Sequence, residues 1–158
     1  MNSTKMKNSF HGKFEPGSSM RDQGQPAGPP GWTVWTGRVL SGLALLFLAF
    51  DAGMKVLAPP PAVEGTVRLG YPPSVLLGLG ILQLVLLAVY LVPRTAPIGA
   101  VLWTGYLGGA VASHVRIGDP LLTHTLFPVY VAALLWGGLW LRDVRVNALY
   151  APPSGLNR

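Results

Sequence analysis

Four stretches of predominantly apolar sequence, separated by segments that contain proline, constrain most strongly what this chain can fold into. They cover approximately residues 35–57, 74–92, 96–115 and 121–141. Each is close to the roughly 20 residues that an α-helix needs to cross the hydrocarbon core of a bilayer. The sequence therefore predicts an all-α integral membrane protein with four transmembrane helices.

The composition agrees with a membrane environment. Of the 158 residues, 50% are hydrophobic and 11% are charged, whereas roughly a quarter of the residues in soluble domains are charged. The net charge of +6 comes from residues scattered around the apolar stretches, which argues against a nucleic acid partner. The chain has no cysteine, which excludes thiol chemistry and Cys-ligated metal sites within it.

The segments between the apolar stretches predict the topology. Each contains proline, which stops a helix by removing an amide donor, and the second and third segments are short enough to force antiparallel neighbours. We expect an up-down bundle of four helices within residues 32–146, with the lipid bilayer as its main partner. Residues 1–31 are rich in Gly, Pro and polar residues and are expected to form a disordered tail, and residues 147–158 a short second tail.

The basic residues predict the orientation in the membrane. Nine of the 12 Lys and Arg residues lie on the side of the two termini, and only Lys55, Arg68 and Arg116 lie on the other side. Because cytoplasmic flanks carry the excess of Lys and Arg, both termini are expected in the cytoplasm. The chain is thus interpreted as a multi-pass protein of a cell inner membrane.

This topology gathers six ionisable residues from three helices at the outer end of the bundle. They are Asp51, Lys55, His114, Arg116, Asp119 and His124. Asp51 lies deepest, and Lys55 four residues later can pair with it on one helix face. Three interpretations stay open: a self-neutralised pair that anchors the helix end, a tolerated surface acid, or an interior acid that binds a ligand, relays protons or pairs with Arg116 or His114.

The histidines also have more than one interpretation. Helix-end hydrogen bonding would satisfy both His114 and His124. A carboxylate beside imidazoles can also move protons to a reducible head group such as a quinone, because His titrates near neutral pH. Two histidines on facing helices can in addition ligate haem iron. We expect no other metal site.

Two further features predict helix packing. Gly105, Gly109 and Ser113 repeat at four-residue spacing, the pattern of small residues that lets two helix backbones approach closely. This pattern fits an internal seam or a dimer interface, so the oligomeric state stays open. Gln83, within the second apolar stretch, is expected to form a hydrogen bond to a neighbouring helix.

Several segments, in order along the chain, resemble the DoxX-like family of small four-span bacterial membrane proteins: FDAGMK, LGYP, GYLGGAVASHVR and HTLFPVY. The resemblance covers roughly residues 35–143. It implies a relationship to a wider superfamily that includes a subunit associated with a terminal quinol oxidase or thiosulfate:quinone oxidoreductase, and other redox-associated membrane proteins. It carries over no agreed catalytic residues.

These observations favour an accessory or uncharacterised membrane protein, with other membrane redox subunits as candidate partners. Its cofactor stays open, and a quinone is the candidate class. The first alternative is a quinone-linked oxidoreductase subunit, and the second is a carrier for a small solute. Transport ranks last because the polar residues concentrate at one end only. The sequence has no Walker, Rossmann, HExxH or nucleophile-elbow motif, so catalysis by this chain alone is not expected.

Overall fold

The structure, a computed structural model, describes residues 30–146. Nearly all of the predicted N-terminal tail, and the whole of the C-terminal tail, lie outside the described residues. The described part is all-α, with no strand between residues 30 and 146. Five α-helices of at least nine residues lie within this range, and a π-helical turn, Leu121–Thr125, precedes the last of them. These are α1 (Gly31–Leu57), α2 (Pro60–Arg68), α3 (Val75–Leu91), α4 (Ala96–Arg116) and α5 (Phe127–Arg142).

Among the described residues, three helical segments are long and apolar enough to cross a membrane: Gly31–Leu57, Ala96–Arg116 and Leu121–Arg142. They confirm the predicted apolar spans at these three positions to within a few residues. The second predicted span is the shorter apolar helix α3, whose 17 residues extend over about 25 Å at 1.5 Å per residue.

The segment between α1 and α3 corrects the sequence interpretation, because it contains a helix where only a break was expected. Helix α1 ends at Leu57, and the capping residue after it, Ala58, adopts the left-handed conformation (φ +48°). Two prolines then occupy the first turn of α2, where an amide has no helical acceptor and proline costs nothing. These prolines therefore lie at the start of a helix, although proline in the interior of a helix breaks it.

The four long helices pack in the cyclic order α1, α3, α4, α5, because α1 and α4 each contact both α3 and α5. We use two names for the ends of this assembly. The α2 end carries α2, the C-termini of α1 and α4, and the π-helical turn. The tail end carries the first residues of α1, the connection between α3 and α4, and the last residues of α5.

The tail end is closely packed. A β-carbon added to Gly138 on α5 would collide with Ser41 Oγ of α1 and would lie 2.7 Å from the Gly37 carbonyl oxygen, so only glycine allows this approach. The buried Tyr90 hydroxyl on α3 donates to the Leu135 carbonyl oxygen (2.9 Å) and also contacts Ser41 Oγ (3.2 Å). One tyrosine thus ties three helices together.

The expected packing seam on α4 lies in a different kind of environment. A β-carbon added to Gly105 or Gly109 would have no other described atom within 4 Å. Both glycines instead line a cavity towards the α2 end. Close helix approach depends on other glycines. Gly37 and Gly138 join α1 and α5, Gly99 lies against α3, where its added β-carbon would be 2.7 Å from Tyr90 Cα, and Gly80 lies against α1, where its added β-carbon would be 3.0 Å from the Val56 nitrogen.

Candidate functional site

The first polar cluster at the α2 end is built around the carboxylate of Asp51, on the last turns of α1. Lys55 Nζ lies 2.5 Å from Asp51 Oδ2, so the pair expected from the four-residue spacing forms. The carboxylate side chain is 34% exposed and the lysine side chain 19% exposed. The pair is therefore neither a surface ion pair nor a fully buried one, and both residues line a cavity.

Gln83 connects this pair to α3, as the sequence suggests for a polar residue inside an apolar helix. Its side chain is fully buried, and its Nε2 donates to Asp51 Oδ2 over 2.6 Å. The amide nitrogen faces the carboxylate because an amide oxygen there would repel it. Gln83 Oε1 is left with no hydrogen-bond partner among residues 30–146.

A second cluster surrounds Asp119, in the connection between α4 and the π-helical turn. His114 Nδ1 lies 2.6 Å from Asp119 Oδ2, and the Arg68 guanidinium of α2 binds the other carboxylate oxygen. The hydrogen bond to His114 and the charge of Arg68 hold the pKa of Asp119 below its ordinary value, although desolvation opposes them. Asp119 thus fastens α2 to the end of α4.

The two histidines lie near each other, with ring centroids 6.2 Å apart and ring planes at 60°. His114 is engaged by Asp119, whereas the exposed His124 forms a hydrogen bond to Thr123 Oγ1 through Nδ1 (2.8 Å). Within the described range, no group of three or more His, Asp and Glu side chains is arranged to hold a metal ion.

Arg116 contacts the polypeptide backbone and not Asp51. Its guanidinium donates to the Leu69 carbonyl oxygen and lies 5.5 Å from the centroid of the Tyr71 ring. The Tyr71 hydroxyl in turn hydrogen-bonds Ser113 Oγ (2.8 Å). These contacts join the connection between α2 and α3 to the C-terminal turns of α4. Arg116 therefore stands apart from the Asp51 group, while Ser113 lines the cavity as well.

A cavity of about 550 Å³ lies beneath α2, between the four long helices. Its apolar wall includes Phe47, Leu48, Val75, Leu79, Leu107 and Val131, and its polar lining includes Asp51, Lys55, Gln83, Tyr106, Ser113 and His114. A second cavity of about 260 Å³ lies against α2 and reaches Arg68 and Asp119. Both cavities are lined by Asp51, Lys55 and His114.

The structure thus divides the six predicted site residues. Asp51, Lys55 and His114 line the large cavity, Asp119 lines only the smaller one, and Arg116 and His124 line neither. Sequence reasoning misses Tyr106 and Arg68. Tyr106 precedes Ser113 by seven residues, two helical turns, so a search for polar groups along one face of α4 could find it. Arg68 requires α2, which the sequence does not reveal.

Comparison with known proteins gives one match. The model described as the DoxX-like family matches residues 39–138 of the chain, a range that includes the residues of both clusters. No curated protein and no solved structure matches the chain.

Proposed function

The chain belongs to the DoxX-like family, and on that basis we propose that it is an inner-membrane protein that binds a quinone-class amphiphile at its α2 end. The proposed architecture is an up-down bundle of four spans: α1, α3, α4, and the π-helical turn with α5. Although α3 is short, a span of 17 residues can be accommodated by local thinning of the bilayer at a modest cost. Four spans put both termini on one side.

The proposed orientation has the α2 end outside the cytoplasm. Its support is the excess of Lys and Arg on the side of the termini, nine of 12 residues, which favours a cytoplasmic location. Trp32 and Trp140, at the tail end, are 71% and 52% exposed. Indole rings at a helix end prefer the interface between lipid and water, so they support the same placement.

The observation that carries the proposed function is the cavity itself, a largely apolar space with the Asp51, Lys55 and Gln83 group in its wall. Its volume of about 550 Å³ falls in the usual range for small-molecule sites, roughly 300–1,000 Å³. An apolar wall with a few fixed hydrogen-bonding groups suits a molecule that has an apolar body and a polar head. A quinone has both.

We assign the chain an accessory role beside other membrane redox subunits. The family resemblance points to redox-associated membrane proteins, and the chain has no cysteine that could carry electrons as a thiol. The residues at hand can hold a head group by hydrogen bonds and can exchange protons with it through Asp51 and His114. Electron transfer is left to the partner proteins.

The test is a direct search for the ligand. The full chain is purified from its native membrane in mild detergent, its visible spectrum is recorded, and extracted small molecules are identified by mass spectrometry. We expect quinone in near-stoichiometric amount, and less of it from the Asp51→Asn variant when that variant inserts normally. Bulk phospholipid as the only extracted molecule would overturn the proposal.

A further inference from the structure

The large cavity extends to the side of α4 that faces α3. Gly105 and Gly109 line the cavity and are exposed. They lie four and eight residues before Ser113, so the three residues share one stripe of α4. Ser113 contacts Tyr71, which shortly precedes α3. The α5 side of α4 is marked instead by Thr104, whose hydroxyl accepts a hydrogen bond from Trp136 Nε1 (2.9 Å).

The two glycines leave a gap on this stripe. A β-carbon at either position would meet no other described atom within 4 Å, and the neighbouring surface of α3 and α4 is apolar, with Leu82 and Leu102 exposed. In a bilayer this surface faces acyl chains. An apolar molecule dissolved in the membrane can therefore reach the cavity sideways, without passing through water.

Gln83 indicates which hydrogen-bonding group such a molecule carries. Gln83 Oε1 is fully buried in the cavity wall and has no partner within the described chain, while its Nε2 is used by Asp51. A buried acceptor without a donor is costly, so the site favours a ligand that supplies one. Asp51 beside it is a further acceptor. At this point of the wall, two adjacent acceptors favour a hydroxyl group over a carbonyl oxygen.

We propose that the cavity binds the reduced, hydroxyl-bearing form of an amphiphile, a quinol in preference to its quinone, and that this molecule enters from the lipid between α3 and α4. The inference rests on the proposed function and specifies its ligand and route. One hydroxyl donates to Gln83 Oε1, and the apolar part extends through the gap at Gly105 and Gly109.

The experiment uses the full-length chain in lipid nanodiscs and three probes that share one ring and one decyl chain: decylubiquinol, decylubiquinone and the dimethyl ether of decylubiquinol, in which methyl groups replace the two hydroxyl protons. Bound probe is quantified by mass spectrometry after filtration, under anaerobic conditions. We expect the quinol to bind about tenfold more tightly than the quinone or the ether, the difference that one well-placed hydrogen bond makes. Gln83→Met should remove this preference.

The route is tested with two glycine variants. Gly109→Phe fills the gap and should slow association of decylubiquinol at least tenfold. Gly108→Phe is the matched control, because Gly108 also has open space around it among the described atoms but does not line the cavity. Its association rate should equal that of the unsubstituted chain.

The outcomes separate this inference from the function on which it rests. If none of the probes binds the unsubstituted chain, the proposed function fails. If all three bind equally well, the site holds such amphiphiles but the hydroxyl assignment is wrong. If Gly109→Phe and Gly108→Phe bind the quinol at the same rate, the route between α3 and α4 is wrong.

Discussion

Asp119 is the residue in which the most contacts at the α2 end converge. Its carboxylate binds Arg68 of α2 through one oxygen and His114 of α4 through the other, and its side chain is only 4% exposed. The sequence suggested that His114 could approach Asp51. Asp119 is closer because Gly118 adopts φ +70° directly after α4, and this turn folds the next residue back onto the helix end.

The Asp119 contacts predict a dependence of stability on acid. The pKa of Asp119 is lower in the folded chain than its ordinary value, first because of the hydrogen bond to His114. A lowered pKa means that the contribution is complete above the ordinary pKa of about 4 and is lost as pH falls through the lower, folded value. The thermal midpoint should therefore fall as the pH is lowered from about 5 to 3.

Asp119→Asn is the control for this prediction. Asparagine does not take up a proton between pH 5 and 3, so the thermal midpoint of the variant should be lower at pH 7 and should change less between pH 5 and 3. Equal acid dependence in the two proteins would assign the effect to other carboxylates.

At the scale of the element, α2 is held in place by its neighbours. Its nine residues are too few to form a stable helix alone. Residue 58 at one end and residue 70 at the other adopt positive φ. Between them, Arg68 binds Asp119 and Arg116 binds the Leu69 carbonyl oxygen. The position of α2 over the cavity therefore depends on two turns and two arginines.

Gly70→Ala should loosen α2. Gly70 has φ +81°, and an added β-carbon would lie 2.7 Å from Arg116 Nη2. A residue with a β-carbon is less stable in this left-handed conformation than glycine by about 1–2 kcal/mol. The Arg116 side chain would also have to move away from the new methyl group. We expect faster hydrogen exchange in residues 59–70, measured by mass spectrometry in nanodiscs.

Gly65→Ala is the matched control within the same helix. Gly65 is in the middle of α2, and no other described atom would lie within 4 Å of its β-carbon. Alanine there favours the helix by up to about 1 kcal/mol, so exchange should be unchanged or slower. If residues 59–70 exchange hydrogen at the same rate in both alanine variants, the turn at Gly70 does not hold α2 in place.

The contact between α1 and α5 predicts that alanine substitutions at two neighbouring glycines differ in their effect on stability. In Gly138→Ala the new methyl group would collide with Ser41 Oγ and the Gly37 carbonyl oxygen, whereas in Gly137→Ala it would meet no other atom of the described chain within 4 Å. Overpacking of this kind costs about 1–3 kcal/mol. The free energy of unfolding in detergent should fall for the first variant only. Equal free energies of unfolding for the two variants would show that α1 and α5 can move apart at this contact without loss of stability.

Sequence patterns predict these elements unevenly, for physical reasons. The apolar stretches locate α1, α3, α4 and the segment of α5 because hydropathy over a span is a property of the segment itself. Proline is ambiguous, because Pro60 removes no hydrogen bond at the start of α2. The cavity depends on how neighbouring helices diverge, which the spacing of Gly105 and Gly109 does not specify. That spacing suits close packing and an open gap equally.

For the whole molecule, the two ends of the helix assembly differ in packing. Glycine contacts bring α1 and α5 together at the tail end, while beneath α2 a large cavity lies between the helices and close glycine packing is kept between α3 and α1, at Gly80. A site that exchanges ligand needs such a region, whereas the opposite end can stay rigid. The proposed orientation puts the open region on the outer side of the membrane.

The absence of native cysteine makes this orientation directly testable. Glu64 on α2 and Arg94 between α3 and α4 are both exposed, and each can be replaced by the single cysteine of a variant. We expect a membrane-impermeant maleimide to label Glu64→Cys in intact spheroplasts, and to label Arg94→Cys only after permeabilisation. The reverse pattern would place the α2 end in the cytoplasm.

The two acidic clusters also imply an order of events during synthesis. Asp51 and Lys55 are one helical turn apart, so this pair can form inside the translocon and α1 can enter lipid already neutralised. Arg68 and Asp119 are separated by 51 positions, and Arg68 is translated long before its partner exists. In the proposed topology, Arg68 therefore stays exposed to water until α4 and α5 have been inserted. We expect α2 to reach its final position over the cavity only after that step.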